Sequence, residues 1–319
     1  MTIQISAIIC THNRCTYLKK AIQSLLDQTL AKENYEILVI NNASSDDTRK
    51  IVEEFSSIGN VKYIYEPLLG LSRARNTGWT NAAGDYVAFL DDDAIAAGDW
   101  LEKILETFKT APSSIGCVGG KIDLIWESPR PGWLPQEVCF CLGKLDVSDH
   151  PVLLKGKKYF LHGGNIAFPK NILRCIKGFN DALGRKGKTF LSGEEILIQE
   201  HLIQERYSCL YNPNIRIQHA VLPYRLTQSW IYERMAGEGI SQAMIKIHRE
   251  SISKFKRYTT ALWEIVKFIV MLRPLSYLLP NKNQFVFGQR CLATLKINYI
   301  LYMLDQTSLI KNFGNYASI

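Results

Sequence analysis

Apolar residues fill the first hundred positions in short, nearly unbroken runs, separated by stretches with helical spacing. Ile3–Cys10 is apolar almost throughout its second half and breaks into Thr11-His12-Asn13-Arg14. Such a run predicts a strand buried on both faces, as in a parallel sheet. Leu18, Ala21, Ile22, Leu25 and Leu26 then recur at the spacing of one helix face. Tyr35–Ile40 predicts a second strand, ending in Asn41-Asn42-Ala43-Ser44. Ser44 or Ser45 is placed to cap a helix carrying Ile51, Val52 and Phe55. Val61–Tyr65 predicts a third strand, and Leu71–Ala83 a helix containing Arg73 and Arg75. Tyr86–Leu90 has the aromatic and β-branched content of a buried strand, and Trp100–Phe108 predicts the next helix. Strands alternating with helices at this spacing predict an α/β fold: a Rossmann-like, doubly wound, mostly parallel sheet.

Each predicted strand ends in polar residues: Thr11 and Asn13, then Asn42, Glu66, and finally Asp91, Asp92 and Asp93. A core alone does not require this, whereas a ligand crevice at the carboxyl ends of the strands does. Three adjacent carboxylates repel one another and need a cation or solvent in front of them. Hard cations such as Mg²⁺ and Mn²⁺ favour such oxygen ligands, often shared with a phosphorylated substrate. A solvated acidic turn is the simpler reading of the triplet taken alone. No glycine-rich dinucleotide fingerprint follows the first strand, and no P-loop occurs, so those two classes lose their main support.

Composition changes the picture in one respect. The chain has 319 residues, 47% hydrophobic and 21% charged, with a net charge of +8. From Arg206 onward there are 15 basic and 5 acidic residues, whereas the first 205 carry 23 and 25. A basic rear half suggests an anionic partner for that half. The eight cysteines are scattered, several within apolar runs (Cys10, Cys117, Cys209), and Cys139 and Cys141 lack a matching pair at zinc spacing. They read as reduced core thiols of a cytoplasmic protein. Met1 leads directly into a strand, so no signal peptide is expected.

Five ordered segments carry a family resemblance: Ala7-Ile-Ile-Cys-Thr-His-Asn-Arg14, Gln28-Thr29, Val39-Ile-Asn-Asn-Ala-Ser-Ser-Asp46, Gly70-Leu-Ser-Arg-Ala-Arg-Asn-Thr-Gly78 and Gly84-Asp-Tyr-Val-Ala-Phe-Leu-Asp-Asp-Asp93. Together they resemble the nucleotide-sugar-binding half of family 2 glycosyltransferases, which have the GT-A fold. The resemblance implies a donor nucleoside-diphosphate sugar of UDP, GDP or TDP type, with Mn²⁺ or Mg²⁺ as cofactor. It places Thr11, Asn13, Arg14, Asn42, Arg75, Asn76, Asp91 and Asp92 around that donor. Asp91 and Asp93 match the Asp-x-Asp pair, the first facing the ribose and the second holding the metal.

The second half is less regular. Gly116–Trp126 predicts a strand and Glu127–Pro135 a loop. His162-Gly163-Gly164-Asn165 resembles the family's segment beneath the acceptor, with a glycine-rich strand turn as the alternative. Ser192-Gly193-Glu194-Glu195 opens a predicted helix, where carboxylates are stabilised by the helix dipole. It also resembles the family's Gly-Glu-Asp, whose last carboxylate is the general base. That position is Glu195 here, with Glu194 as the second choice. His219 ends a short predicted strand at Ile215–His219. It is either structural or, as in many relatives, the completion of the metal site. Gln228–Ile245 predicts a helix whose Arg234 could meet a leaving diphosphate or face water.

Lys254, Lys256 and Arg257 precede the apolar stretch Ala261–Leu279, which contains Glu264, Lys267, Arg273 and Pro274. Those charges argue against a membrane span. Amphipathic helices are expected instead, packed on the catalytic domain or lying on an anionic inner membrane face. The expected organisation is a GT-A catalytic domain over 1–225, with a nucleotide-sugar half (1–110) and an acceptor-side half (111–225). A basic helical extension follows over 226–319. The expected activity is metal-dependent transfer of a sugar to an acceptor hydroxyl, with inversion, in polysaccharide or glycoconjugate synthesis. The acceptor would be a saccharide, a lipid-linked molecule or a protein; no nucleic-acid partner is expected. A degenerate sugar-nucleotide-binding module acting through protein partners is the rival, motivated by Asn41-Asn42 and Glu195. A nucleotidyltransferase ranks last, for want of its glycine-rich loop.

Overall fold

The computed structural model describes residues 2–58, 60–156, 159–187, 189–271 and 283–305. These form two compact units, one of Met1–Ile125, Gly143–Asp181 and Glu194–Ala220, the other of Trp126–Leu142, Ala182–Gly193 and Val221–Ile319.

The first unit is built on one sheet. Its strands are β1 (Ile5–Thr11), β2 (Tyr35–Asn42), β3 (Val61–Glu66), β4 (Tyr86–Asp91), β5 (Ala94–Ala96), β6 (Ile115–Trp126), β7 (Val152–Leu154), β8 (Asn165–Pro169) and β9 (Ser208–Val221). Their order is β3-β2-β1-β4-β8-β6-β9-β5, with β7 also on β9. The first four run parallel. β8 is antiparallel to β4 and β6, and β5 and β7 are antiparallel to β9. β2 is buried at every position and β1 at all but Cys10, which explains their unbroken apolar runs.

The helices α1 (Cys15–Leu26), α2 (Thr48–Ser56), α3 (Leu71–Asn81) and α4 (Trp100–Thr110) follow β1, β2, β3 and β5 in turn. α1 buries Leu18, Ala21, Ile22, Leu25 and Leu26, the face that its spacing predicts. The short α5 (Lys170–Cys175) and α6 (Glu194–Gln204) complete the unit. Two short strands, β5 and β7, escape the apolar pattern because three residues hold too few alternations to register. β9 starts well before Ile215, because Asn212-Pro213-Asn214 interrupts its apolar alternation.

The expected serine cap of α2 is not made. That helix starts at Thr48 behind Asp47, with no side-chain cap bond from that residue. Ser44 and Ser45 turn instead towards the loop after β1: the Asn13 amide donates to Ser44 Oγ at 3.0 Å, and the Ser45 amide donates to Asn13 Oδ1 at 2.8 Å. Asn13 and Ala43 both adopt left-handed backbone, at φ 53° and 54°, where the two strand-end loops meet. Asp46 accepts from the Thr48 amide at 3.1 Å and from the Cys15 amide at 3.0 Å, serving the first turns of two helices.

The second unit holds α7 (Gln228–Glu250), α8 (Lys254–Met271) and α9 (Gln284–Met303). Thr227 caps α7 by accepting from the Trp230 amide, and Ser251 ends it in left-handed backbone at φ 45°. Ala243, Ile252, Ala261, Tyr299, Ile300 and Met303 form a core shared by the three helices. Arg234 does not face water: it pairs with Glu238 at 3.2 Å, and its side chain is largely buried. Burial would raise the Glu238 carboxyl, but Arg234, Gln242 and Ser192 together hold it below its ordinary value. No described helix is long and apolar enough to cross a membrane. Arg273 and Pro274, and the rest of the apolar stretch beyond Met271, lie outside the described residues.

All eight cysteines are free thiols.

Candidate active site

The parallel strands β1, β2 and β4 carry their polar residues to one end of the sheet. In register, Cys10 stands beside Asp91 and Thr11 beside Asn41. β4 ends at Asp91, the chain turns through Asp92 and Asp93, and β5 then pairs with β9 so that Ala94 faces His219. The Ala220 amide donates to the Asp93 carbonyl at 2.9 Å. This pairing puts His219 Nε2 at 3.1 Å from Asp93 Oδ1 and 3.9 Å from Asp91 Oδ2. One ligand atom each from Asp91, Asp93 and His219 falls within 4.8 Å of the others. Two carboxylates and an imidazole are a donor set for a divalent cation. Asp93 and His219 are buried, and Asp91 is partly open.

Arg14 answers the charge of the triplet. Its Nη1 donates to Asp92 Oδ1 at 3.0 Å and to Asp93 Oδ2 at 2.8 Å. Burial pushes the Asp92 carboxyl above its usual range, with Asp93 and Asp91 adding to the effect and Arg14 opposing it.

Arg75 is the second cation. Its side chain is only 4% exposed and forms an ion pair with the equally buried Glu194. Asp91 lies 3.9 Å from its other amino group. The guanidinium also sits over the Phe89 and Phe179 rings, at 5.9 Å and 5.5 Å from their centroids. Burial alone would lower the Arg75 pKa, but Glu194, Asp91 and Glu195 hold it above its ordinary value. Gly163 and Gly164 lie directly against this group. A Cβ on Gly163 would collide with the Arg75 guanidinium, and one on Gly164 with the Asp91 carboxylate. The His162-Gly163-Gly164 segment is therefore glycine-rich because two charged side chains occupy the space.

The remaining sequence-predicted residues have these positions. Thr11 is buried at the end of β1. Asn42 accepts from the Gly70 amide at 2.7 Å and donates to the Leu68 carbonyl at 2.8 Å, so its amide ties down the loop after β3. Asn76 donates to the Phe179 carbonyl at 2.8 Å and accepts from the Phe179 amide at 2.9 Å, holding that ring under Arg75. Asn165 is fully buried; it accepts from Trp100 Nε1 at 2.8 Å and donates to the Ile215 and Lys121 carbonyls at 3.0 and 3.1 Å. Glu194 and Glu195 begin α6, with Glu195 less buried than Glu194.

Two residues of the site escape the sequence reading. Gln199 accepts from the Leu161 amide at 2.8 Å and donates to the Leu161 and Glu195 carbonyls at 2.9 and 2.8 Å. It thus fixes the glycine segment against α6. Its only sequence signal is a polar residue on the apolar face of a helix. His12 Nδ1 lies 2.7 Å from the Asn42 carbonyl, linking the first two strand-end loops. Cys10 beside Asp91 is a thiol that burial pushes up to about 12, which removes it as a nucleophile.

Comparisons with known proteins identify the family. The profile of Glycosyl transferase family 2 matches residues 6–177, more than half of the chain. The chain is 24% identical over 251 residues to the glucosyl-dolichyl phosphate glucuronosyltransferase of Haloferax volcanii, covering 77% of this chain and 78% of that one. It is 40% identical over 101 residues to the glycosyltransferase GlyA of Streptococcus pneumoniae, a match spanning 31% of this chain but 14% of that longer one. Among solved structures, the mannosyltransferase PcManGT of Pyrobaculum calidifontis, in complex with GDP-Man and Mn²⁺, superposes with a TM-score of 0.62. That pair is 16% identical, covering 96% of this chain and 88% of the other. S. aureus TarS in complex with UDP gives 0.53, at 16% identity over 98% and 93%. The site and fold thus define a GT-A enzyme of the glycosyltransferase class. This chain belongs to glycosyl transferase family 2. The rival reading as a non-enzymatic module finds no support in these likenesses.

Proposed function

We propose that the chain transfers a sugar from a nucleoside diphosphate to an acceptor hydroxyl, with inversion, in a divalent-cation-dependent reaction. The observation that carries this reading is the convergence of Asp91, Asp93 and His219 at the strand ends, in a unit whose Arg75 also senses the charge of Glu195. The three side chains fit a cation, because the Ala94–His219 pairing fixes the imidazole against Asp93 and the glycine at 164 leaves room for Asp91. An imidazole beside carboxylates suits Mn²⁺ better than Mg²⁺. When bound, such a cation supplies charge neutralisation to a departing diphosphate.

The chain's own residues do the rest. Asp91, the most open of the three acids, faces the donor, and Asp93 holds its position through Arg14 and His219. Glu194 is held in an ion pair with the buried Arg75 and is not free to turn towards an acceptor. Glu195, the next residue on α6, is therefore the base that takes the proton from the acceptor hydroxyl. Asn42 and Asn76 act by shaping the donor pocket, since their amides are engaged with the loop after β3 and with Phe179. Thr11 at the end of β1 and Asn13 in the loop after it stand on the nucleotide side. Asn165 supports the acceptor side from behind Gly164. GDP- and UDP-linked sugars are the donors to try first, because the structural neighbours hold GDP-Man and UDP. A lipid-linked saccharide is the acceptor class to try first, after the glucosyl-dolichyl phosphate in the Haloferax relative's name.

The test is calorimetric binding of UDP, GDP and TDP, with and without Mn²⁺, to the wild type, Asp93→Ala and Glu195→Gln. One nucleotide should bind in a Mn²⁺-dependent manner, Asp93→Ala should lose that dependence, and Glu195→Gln should keep it. Glu195→Gln should then slow transfer by about 10²–10⁴-fold. Absence of binding under every condition would remove the donor and with it this reading.

A further inference from the structure

One helix of the second unit has two apolar faces. The inner face of α8 packs Ala261, Ile265 and Phe268 on Tyr299, Ile300 and Met303 of α9. Arg257 fastens it by donating to the Tyr302 carbonyl at 2.9 Å. The outer face carries Phe255 (78% exposed), Leu262 (63%), Trp263 (60%) and Ile269 (64%), with Tyr258 and Val266 between them. At helical spacing Phe255, Tyr258, Leu262, Val266 and Ile269 fall within a sector of about 80°. They form a continuous stripe more than three turns long, with Trp263 at its margin. Soluble surfaces scatter large apolar residues singly, and a stripe of this kind marks an interaction surface.

The charges around the stripe indicate what covers it. Lys254 falls on one flank, and Lys256 and Lys267 on the other. All three are exposed; Lys256 lies 3.6 Å from Glu250 and Lys267 3.4 Å from Glu264, loose surface pairs that a phosphate can replace. α8 carries four basic residues against the single acid Glu264. Glu264 is itself committed to Lys296 and Lys267. Lys267 lies over the Trp263 ring at 5.3 Å, an amphipathic pair suited to the boundary between acyl chains and headgroups. A second copy of the chain would present the same excess of positive charge and be repelled, whereas an anionic bilayer is complementary to it.

We propose that α8 lies in the plane of an anionic lipid surface, its outer stripe inserted at the headgroup boundary and its lysines on phosphates. This surface uses none of the residues assigned to sugar transfer, so it stands or falls independently of the reaction proposed above.

The test is co-sedimentation of the full chain with vesicles of phosphatidylglycerol and phosphatidylcholine in equal parts, against phosphatidylcholine alone. The wild type should bind the anionic vesicles and weaken with added salt. The Leu262→Asp/Ile269→Asp double variant should bind about tenfold or more weakly, since it removes apolar insertion and adds negative charge. Both replaced residues are exposed, so the variant should fold, and unchanged nucleotide binding checks this without calling on the membrane. Lys254→Gln/Lys256→Gln/Lys267→Gln should lose binding to anionic vesicles while keeping the helix. Three results would overturn the proposal: no vesicle binding by the wild type, binding that the aspartates leave unchanged, or a concentration-dependent dimer that the same aspartates dissolve.

Discussion

The first unit contains two acidic clusters, and they are neutralised in opposite ways. Asp91–Asp93 sits at a strand end opposite Arg14, whose side chain is 24% exposed, and His219. Glu194 opens a helix and is matched by Arg75, buried at 4% exposure over the Phe89 and Phe179 rings. A cation within reach of water can yield its carboxylates to an incoming ligand. One buried with its partner is part of the scaffold. On the proposed reading, the aspartates then supply exchangeable chemistry and the Glu194–Arg75 pair fixed geometry.

The largest effect should come from breaking the sealed pair. Arg75→Met leaves Glu194 buried and uncompensated and should cost about 3–5 kcal/mol in denaturant unfolding. Adding Glu194→Leu should recover most of that stability without restoring transfer. A double variant as unstable as the single would show that the pair is not a self-contained unit.

Smaller is the expected effect of Arg14→Gln. Loss of this accessible counter-charge should cost about 1–3 kcal/mol without metal. Mn²⁺ should then raise the melting temperature of the variant more than that of the wild type, because binding is linked to stability. Equal shifts would place Arg14 with the scaffold and erase the distinction.

The smallest effect is a control at the opposite end of the strands. Glu36 is buried and accepts from Ser6 Oγ at 2.6 Å, Lys62 Nζ at 2.8 Å and the Ala83 amide at 2.6 Å. Burial would raise its pKa, but these partners hold it below the ordinary value. With the folded pKa depressed, its contribution is whole above the unfolded value of about 4.3 and is lost as pH falls through the folded one. The stability gap between wild type and Glu36→Gln, about 1–2 kcal/mol at neutral pH, should close in urea titrations taken below about pH 4. Mn²⁺ should leave that gap unchanged.

Most of the parallel half was legible because strands buried on both faces write themselves as solid apolar runs, and Ile3–Cys10 and Tyr86–Leu90 did so. The antiparallel half was less so. β5 and β7 are too short to show a period, and β9 is interrupted at Asn212-Pro213-Asn214. The aspartates and His219 were found as residue types at strand ends. What no local pattern could show is which partner each charge would take. Arg14 belongs to a loop far from Asp92 in sequence, Arg75 finds Glu194 across 119 positions, and Gln199 looks like any polar helix residue until Leu161 lies against it.

The register of Ala94 on His219 has a consequence for the order in which the protein is made. The strand that follows the aspartates is bonded to a strand synthesised much later, and loop closure over that distance is slow relative to local helix formation. A nascent chain that has emerged only as far as β6 has its three aspartates in place but no imidazole beside them. Cation affinity should therefore arise late, with the pairing of β9, and serve as a time stamp for completion of the sheet.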